Sequence, residues 1–239
     1  MFEDKTHQKL QLQTFSLSSH ALILYFPFGH FHQSESDSHV YYRDDTNRKL
    51  EEPIKSIRNN KLANTNSLTR RDREDTRHGG GVGIYCREEL SCIQLSNPSD
   101  SCHETIWLWC RPRGLPRTYS CIILAAVYYP EGARNRRELV TFLQHQVVNF
   151  RKQFSNPAFI IAGDFNLTDK KWISRVLDLK QVVEVPTHES GSILDLILTN
   201  LEVFHEPPVS LGQLAKSDHN VLWWKSKSRN NMPKPKKLE

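Results

Sequence analysis

The sequence predicts an α/β fold, and three features carry that expectation. The stretch Phe159-Ile160-Ile161-Ala162-Gly163-Asp164-Phe165-Asn166 is an apolar run of strand length that ends in polar groups, as buried strands of α/β proteins do where they reach a site. Just before it, Leu139, Leu143, Val147, Phe150 and Phe154 recur at steps of three or four, giving one apolar face to a helix from about Arg136 to Phe154. Another apolar run, Ile122 to Val127, precedes that helix. Strand, helix and strand in succession argue for helices laid over a sheet.

Taken in order, residues 1–66 carry little pattern, and only Ala21 to Phe28 has the character of a strand. His20, His30, His32 and His39 are scattered there with no Cys or carboxylate at a recognisable ligand spacing, so an irregular segment is expected, not a metal site. Organisation starts at Thr69-Arg70-Arg71-Asp72-Arg73, read as a solvated turn from which Arg71 can touch a phosphate backbone. Gly79, Gly80 and Gly81 lead into a strand at Val82 to Cys86. Their spacing is not that of a dinucleotide or P-loop fingerprint, and they permit a tight backbone entry.

From Glu104 to Arg111, Thr105, Trp107 and Trp109 alternate with Ile106, Leu108 and Cys110, so both faces are bulky, as in a strand covered on each side. Tyr119 to Tyr129 is the next strand, and the connection carrying Arg111, Pro112, Arg113 and Pro116 reads as an exposed hairpin loop. After the Gly163 strand a shorter helix is predicted at Lys170 to Leu179. Within Ser192 to Asn200, Leu194, Leu196 and Leu198 face one way and Asp195, Ile197 and Thr199 the other. A carboxylate in so apolar a strand needs a partner, and Asp218-His219, ahead of a last strand at Val221 to Trp224, can supply one. The tail 225–239, with six Lys or Arg residues and two prolines, reads as a solvated basic linker.

A length of 239 residues suits one large domain, while 38% hydrophobic residues and a mean hydropathy of -0.57 leave part of the chain outside its core. A net charge of +5 is compatible with a polyanionic partner without requiring one. The five Cys are odd in number and form no Cys-x-x-Cys pair, which indicates neither a zinc site nor a disulfide framework. Cys110 and Cys121 lie in apolar runs and are expected to be small buried hydrophobes. No secretory pattern opens the sequence, and Ala21 to Phe28 is too short to span a bilayer. An intracellular protein, nuclear or cytoplasmic and with no membrane partner, is expected.

On an extended chain Asp164 and Asn166 project to one side, with Phe165 turned to the core. Asp195 can accept a hydrogen bond from one nitrogen of His219, leaving the other to move a proton. Asp164 can orient a water, Asn166 and Tyr128 can donate to phosphate oxygens, and Asp218 can help hold a hard divalent cation such as Mg²⁺. Together these are the parts for metal-assisted attack of water on a phosphate ester.

The order Arg-x-Asp-Arg, Gly-Gly-Gly-Val, Val-Tyr-Tyr-Pro, Gly-Asp-Phe-Asn, Leu-Asp-Leu-Ile-Leu-Thr-Asn and Ser-Asp-His resembles the endonuclease/exonuclease/phosphatase superfamily. Within it, the likeness is nearest to the apurinic-type endonuclease domain that precedes reverse transcriptase in jockey-like non-LTR retrotransposons. It runs from about Ser67 to Trp224. The resemblance implies a four-layer α/β sandwich of two mainly antiparallel sheets flanked by helices, acting on DNA with Mg²⁺ or Mn²⁺. It implies that Tyr128 contacts the phosphate, that Asp164 and Asn166 are catalytic, and that Asp195 supports His219 as general acid or base. Asp218 is then metal-associated and Thr187 stands near the site on the substrate side.

Family members begin with a strand ending in Asn and a second ending in a Glu-Thr-Trp type motif whose glutamate holds the metal. Neither is found upstream of the glycines, and Glu104-Thr105-Ile106-Trp107 lies downstream of them. The expectation is therefore a domain over residues 67–224 without the family's first strands, whose DNA nicking is impaired. Two other readings are an inactive remnant that at most binds nucleic acid, and a phosphatase of small phosphoesters.

Overall fold

Strands with apolar residues on both faces must be covered on both faces, and this chain meets that demand with two sheets and a layer of helix. A computed structural model describes residues 11–16, 22–26, 66–71, 82–87, 90–95, 103–130, 135–166, 168–213 and 217–227. The first sheet contains β1 (Gln11–Ser16), β2 (Leu22–Phe26), β3 (Asn66–Arg71), β4 (Val82–Arg87), β11 (Val209–Gln213) and β12 (Asn220–Lys225), in the order β11-β12-β1-β2-β4-β3. The second contains β5 (Ile93–Gln94), β6 (Glu104–Cys110), β7 (Ile122–Tyr128), β8 (Ala158–Asp164), β9 (Lys180–Gln181) and β10 (Asp195–Thr199), in the order β5-β6-β7-β8-β10-β9.

In each sheet one neighbouring pair is parallel, β2 with β4 and β7 with β8. The other pairs are antiparallel. A parallel link needs a crossover, and the helix Arg136–Gln153 provides it between β7 and β8. The expected α/β sandwich of two mainly antiparallel sheets with helices outside is the observed architecture.

Alternate residues of the second sheet point to opposite faces. Ile106, Leu108, Ile122, Leu124, Ala126, Ile160 and Ala162 pack against Val82, Ile84, Leu222 and Trp224 of the first sheet. The residues between them, Trp107, Ile123, Ala125, Phe159 and Ile161, lie under Leu139, Leu143, Val147 and Phe150 of the long helix. Cys110 and Cys121 are buried, as expected. The helix begins where the Asn135 side chain accepts from Glu138 N, and a second helix, Lys170–Leu177, begins where Asp169 accepts from the N–H groups of Lys171 and Trp172. Side chains of these types satisfy the orphan donors of a first turn. No helix among the described residues is long and apolar enough to cross a membrane.

Two expectations are corrected. Residues 1–66 are not irregular throughout, because β1 and β2 lie in the first sheet between β12 and β4. Strands therefore stand where the family's first strands were expected to be missing. Leu22-Ile23-Leu24-Tyr25-Phe26 is apolar and β-prone, and β1 gains its ladders from β2 on one side and the distant β12 on the other. Thr69-Arg70-Arg71 is not a turn but belongs to β3, an edge strand paired with β4; edges tolerate charge because one side faces water. The four early histidines, the triple glycine and the tail beyond residue 227 lie outside the described residues.

Beside β12, His205 is buried and stacked on Trp224 with ring centroids 4.0 Å apart. Its Nδ1 lies 3.0 Å from the Leu201 carbonyl oxygen, while Nε2 is buried without a partner. Burial lowers its pKa to about 4, so the folded ring is neutral where the unfolded one, near 6.5, takes a proton. Stability from this group is present above pH 6.5 and is lost as pH falls towards 4. Between pH 7 and 5 the loss should be about 2 kcal/mol. Urea unfolding at both pH values should show it in the parent, and His205→Phe should remove that share of the difference.

Candidate active site

The polar groups emerge where β8 and β10 end. These strands pair antiparallel with Asp164 opposite Asp195, and both carboxylates continue the rows formed by Ala162 and Ile197, which face the first sheet. In the parallel direction Tyr128 stands in register with Asp164, and Glu104 with Tyr128. One row, Glu104–Tyr128–Asp164–Asp195, thus crosses four neighbouring strands at the same end of the sheet.

The strand stops at Asp164, so the expected extension that would carry Asn166 to the same side does not form. Asn166 takes a left-handed conformation, φ 47°, which Asn tolerates better than most residues. The turn lets its backbone N–H donate to Asp164 Oδ1 at 2.8 Å. Its side-chain amide donates to the Tyr129 carbonyl at 2.5 Å and to Asp164 Oδ2 at 3.3 Å. Phe165 is buried under the helices, as expected. Asn166 therefore braces Asp164.

His219 stands between the two carboxylates. Its Nδ1 lies 2.8 Å from Asp195 Oδ2, and its Nε2 lies 3.9 Å from Asp164 Oδ2. Asp195 is 3% exposed and His219 8%, so the pair is held out of water, as the need for a partner at Asp195 predicts. Thr187 takes a different part from the one expected. It is 0% exposed, and its hydroxyl accepts from the N–H groups of Leu194 at 2.9 Å and Asp195 at 3.0 Å. A hydroxyl used this way fixes the entry to β10 and positions Asp195 instead of reaching a substrate.

Asp218, the neighbour of His219, is half-exposed, and its Oδ2 lies 3.5 Å from His188 Nε2. Its Oδ1 is buried without a hydrogen-bond partner. A carboxylate oxygen so placed can take a cation. By contrast, β1 and β2 contain no Asn, Asp or Glu, so neither strand supplies the carboxylate that the family resemblance places there. The backbone of Arg71 ends β3, and its side chain lies outside the described structure.

These environments raise both titrations, which favours the neutral carboxyl but the charged imidazole. Burial, with the nearby Asp195 charge, raises Asp164 to about 7 against the pull of Asn166 and His219. For His219 burial opposes the charge, but the hydrogen bond and charge of Asp195, with Asp164 and Asp218, outweigh it and raise the imidazole to about 9. A near-neutral carboxyl beside a protonated imidazole is an arrangement suited to acid–base work. Reading the sequence alone does not find His188, because only a backbone bridge between His188 and His219 brings it to Asp218.

The sequence matches the pattern of the endonuclease/exonuclease/phosphatase family over residues 13–219, beginning inside β1 and ending at His219. Among solved structures, TDP2 of D. rerio complexed with single strand DNA product shares the fold with a TM-score of 0.53 and 12% identity, over 92% of this chain and 99% of that one. The AP endonuclease LMAP from Leishmania major gives 0.50 and 11%, over 79% and 84%. The endonuclease domain of TRAS1, a telomere-specific non-LTR retrotransposon, gives 0.48 and 16%, over 68% and 78%. No curated protein matches the sequence. With the family pattern spanning most of the sequence and both sheets, the chain belongs to the endonuclease/exonuclease/phosphatase family.

Proposed function

We propose that this chain is a metal-dependent phosphodiesterase built to nick DNA, of the kind found in non-LTR retrotransposons. The observation that carries the reading is His219 held by Asp195 at 2.8 Å with its other nitrogen turned to Asp164 at 3.9 Å. In the proposed reaction water attacks phosphorus and Asp164 takes its proton. The bond from phosphorus to the leaving sugar oxygen breaks, and that oxygen takes a proton from His219 Nε2. Asp164 near 7 can accept a proton at neutral pH, and His219 near 9 holds one to give. Asn166 and Thr187 act as positioning residues for the two carboxylates, and Tyr128 borders the phosphate. Mg²⁺ or Mn²⁺ at Asp218 would supply positive charge to the phosphate oxygens. The DNA-bound TDP2 and the AP endonuclease support DNA as the substrate by analogy of fold, and the retrotransposon branch rests on the sequence motifs.

Relaxation of supercoiled plasmid by the purified chain with Mg²⁺ or Mn²⁺ tests this. Nicking that needs the metal and disappears in Asp164→Ala and His219→Ala is the expected result. A folded sample that does not nick DNA with either metal would overturn it in favour of a catalytically inert remnant, the reading favoured by the lack of Asn, Asp and Glu in β1 and β2. Hydrolysis of an inositol phosphate with no action on DNA would instead point to a small-phosphoester phosphatase.

A further inference from the structure

Beside the acid–base pair lies a second cluster whose donors differ in kind from those a hard cation prefers. His188, Asp218 and His219 each offer one ligand atom, and these atoms all lie within 4.8 Å of one another. The closest measured approach is His188 Nε2 to Asp218 Oδ2, 3.5 Å. The two imidazoles meet edge to face with centroids 5.1 Å apart.

The backbone fixes this meeting. His188 and His219 form an antiparallel bridge, Glu189 N donates to the Asp218 carbonyl at 2.9 Å, and Asn220 N donates to the Thr187 carbonyl at 2.7 Å. His188 is oriented further by Ser190, whose N–H and hydroxyl lie 3.1 and 2.8 Å from Nδ1. The Ser190 N–H donates to Nδ1, which leaves the proton of the neutral ring on Nε2 beside Asp218 Oδ2. A cation that takes Nε2 displaces that proton, and in the other tautomer Nδ1–H has the Ser190 hydroxyl, itself 3.0 Å from Ser192 Oγ, as acceptor. Nδ1 of His219 is similarly committed to Asp195, which leaves its Nε2. Asp218 adds a carboxylate with one oxygen buried and unpartnered.

Two imidazole nitrogens and one carboxylate oxygen form a borderline donor set. Mg²⁺ prefers oxygen ligands and keeps its waters, whereas Zn²⁺, Co²⁺ and Ni²⁺ favour imidazole and bind more tightly along the first-row order. Around a tetrahedral Zn²⁺ with bonds of about 2.0–2.2 Å, donor atoms sit roughly 3.4 Å apart. The His188–Asp218 pair is already at that separation, and side-chain rotation can close the rest. The site is reachable, since Asp218 is half-exposed.

We propose that His188, Asp218 and His219 form a binding site for Zn²⁺ and similar divalent transition ions, and that its occupation engages His219 Nε2 and blocks proton transfer there. Binding rests on the geometry alone; its inhibitory consequence rests on the proposed phosphodiesterase reading.

Titration of the chelator-stripped full chain with Co²⁺, followed by visible absorption, tests binding without reference to activity. The expected result is a four-coordinate Co²⁺ spectrum at one equivalent, abolished by stoichiometric Zn²⁺ and displaced only by a large excess of Mg²⁺, which shares the Asp218 carboxylate but not the two imidazoles. His188→Asn, checked for folding by circular dichroism, should weaken Co²⁺ binding by roughly tenfold or more. No Co²⁺ spectrum, a spectrum unchanged in His188→Asn, or sulfur-to-metal charge transfer showing the ion on cysteines would each overturn the proposal. If the chain nicks DNA, Zn²⁺ should inhibit it, and half-inhibition in His188→Asn, measured against that variant's own uninhibited rate, should need at least about tenfold more Zn²⁺. Inhibition that is equal in both would overturn the inhibitory role while leaving the nicking reaction standing.

Discussion

In an Asp195→Asn variant, His219 is expected to release its proton at or below the ordinary histidine value near 6.5 instead of near 9, and DNA nicking should fall by about 10²–10⁴-fold. Burial alone pushes the imidazole down, and what reverses that push is first the 2.8 Å hydrogen bond to Asp195 and then its charge. The amide keeps the size of the carboxylate but removes the charge. It can also turn its NH₂ towards Nδ1, which favours a tautomer with the proton on Nε2 and no cationic form to give one up easily. A proton NMR titration of the His219 ring in the metal-free protein reads the first effect with no need for catalysis, and plasmid nicking reads the second. An imidazole that still titrates near 9 in the variant would mean that Asp195 does not hold it. The loss of rate should appear mainly in kcat, because neither residue is the cation's carboxylate.

The Asp195–His219 pair is legible in the sequence because an ionised group in the middle of Ile193-Leu194-Asp195-Leu196-Ile197 is too costly to bury alone, and few residues near the other strands could answer it. The helix Arg136–Gln153 is legible for a similar reason: its apolar spacing has one interpretation. What the sequence hides is settled by contacts made far along the chain. The strands β5, β9 and β11 are short or largely exposed, so no alternation marks them, and each exists because a longer neighbour offers a ladder. β1 is polar and takes its place between β12 and β2 for the same reason. Thr187 looks like a substrate contact by its position in a motif, yet it is buried and its hydroxyl oxygen accepts from the N–H groups of Leu194 and Asp195. Asn166 looks like the next residue along a strand, but the carboxylate two residues earlier captures its N–H and bends the chain.

Gly163→Ala is expected to cost about 3 kcal/mol or more, a large share of the 5–15 kcal/mol that holds a typical domain together. Gly163 pairs with Val127 across the parallel β7–β8 ladder at the centre of the second sheet. A Cβ there would lie 1.8 Å from the Val127 carbonyl oxygen and 2.7 Å from its carbon. These are backbone atoms of a strand buried on both faces, so no side-chain rotation relieves the overlap and the two strands must move apart. Gly191→Ala is the informative comparison, since a Cβ at Gly191 meets nothing within 4 Å. Its cost should be confined to the left-handed backbone, φ 80°, at about 1–3 kcal/mol. Urea unfolding of both variants beside the parent separates packing from backbone strain, and a Gly163→Ala midpoint within error of the parent would mean that β7 and β8 do not meet in this register. The next residue after Gly163 is Asp164, and Asp164 is the ladder partner of Asp195. A displacement of β8 large enough to admit a methyl group therefore also shifts the carboxylate relative to Asp195 and His219, so residual nicking in a folded Gly163→Ala protein should fall further than its stability loss explains.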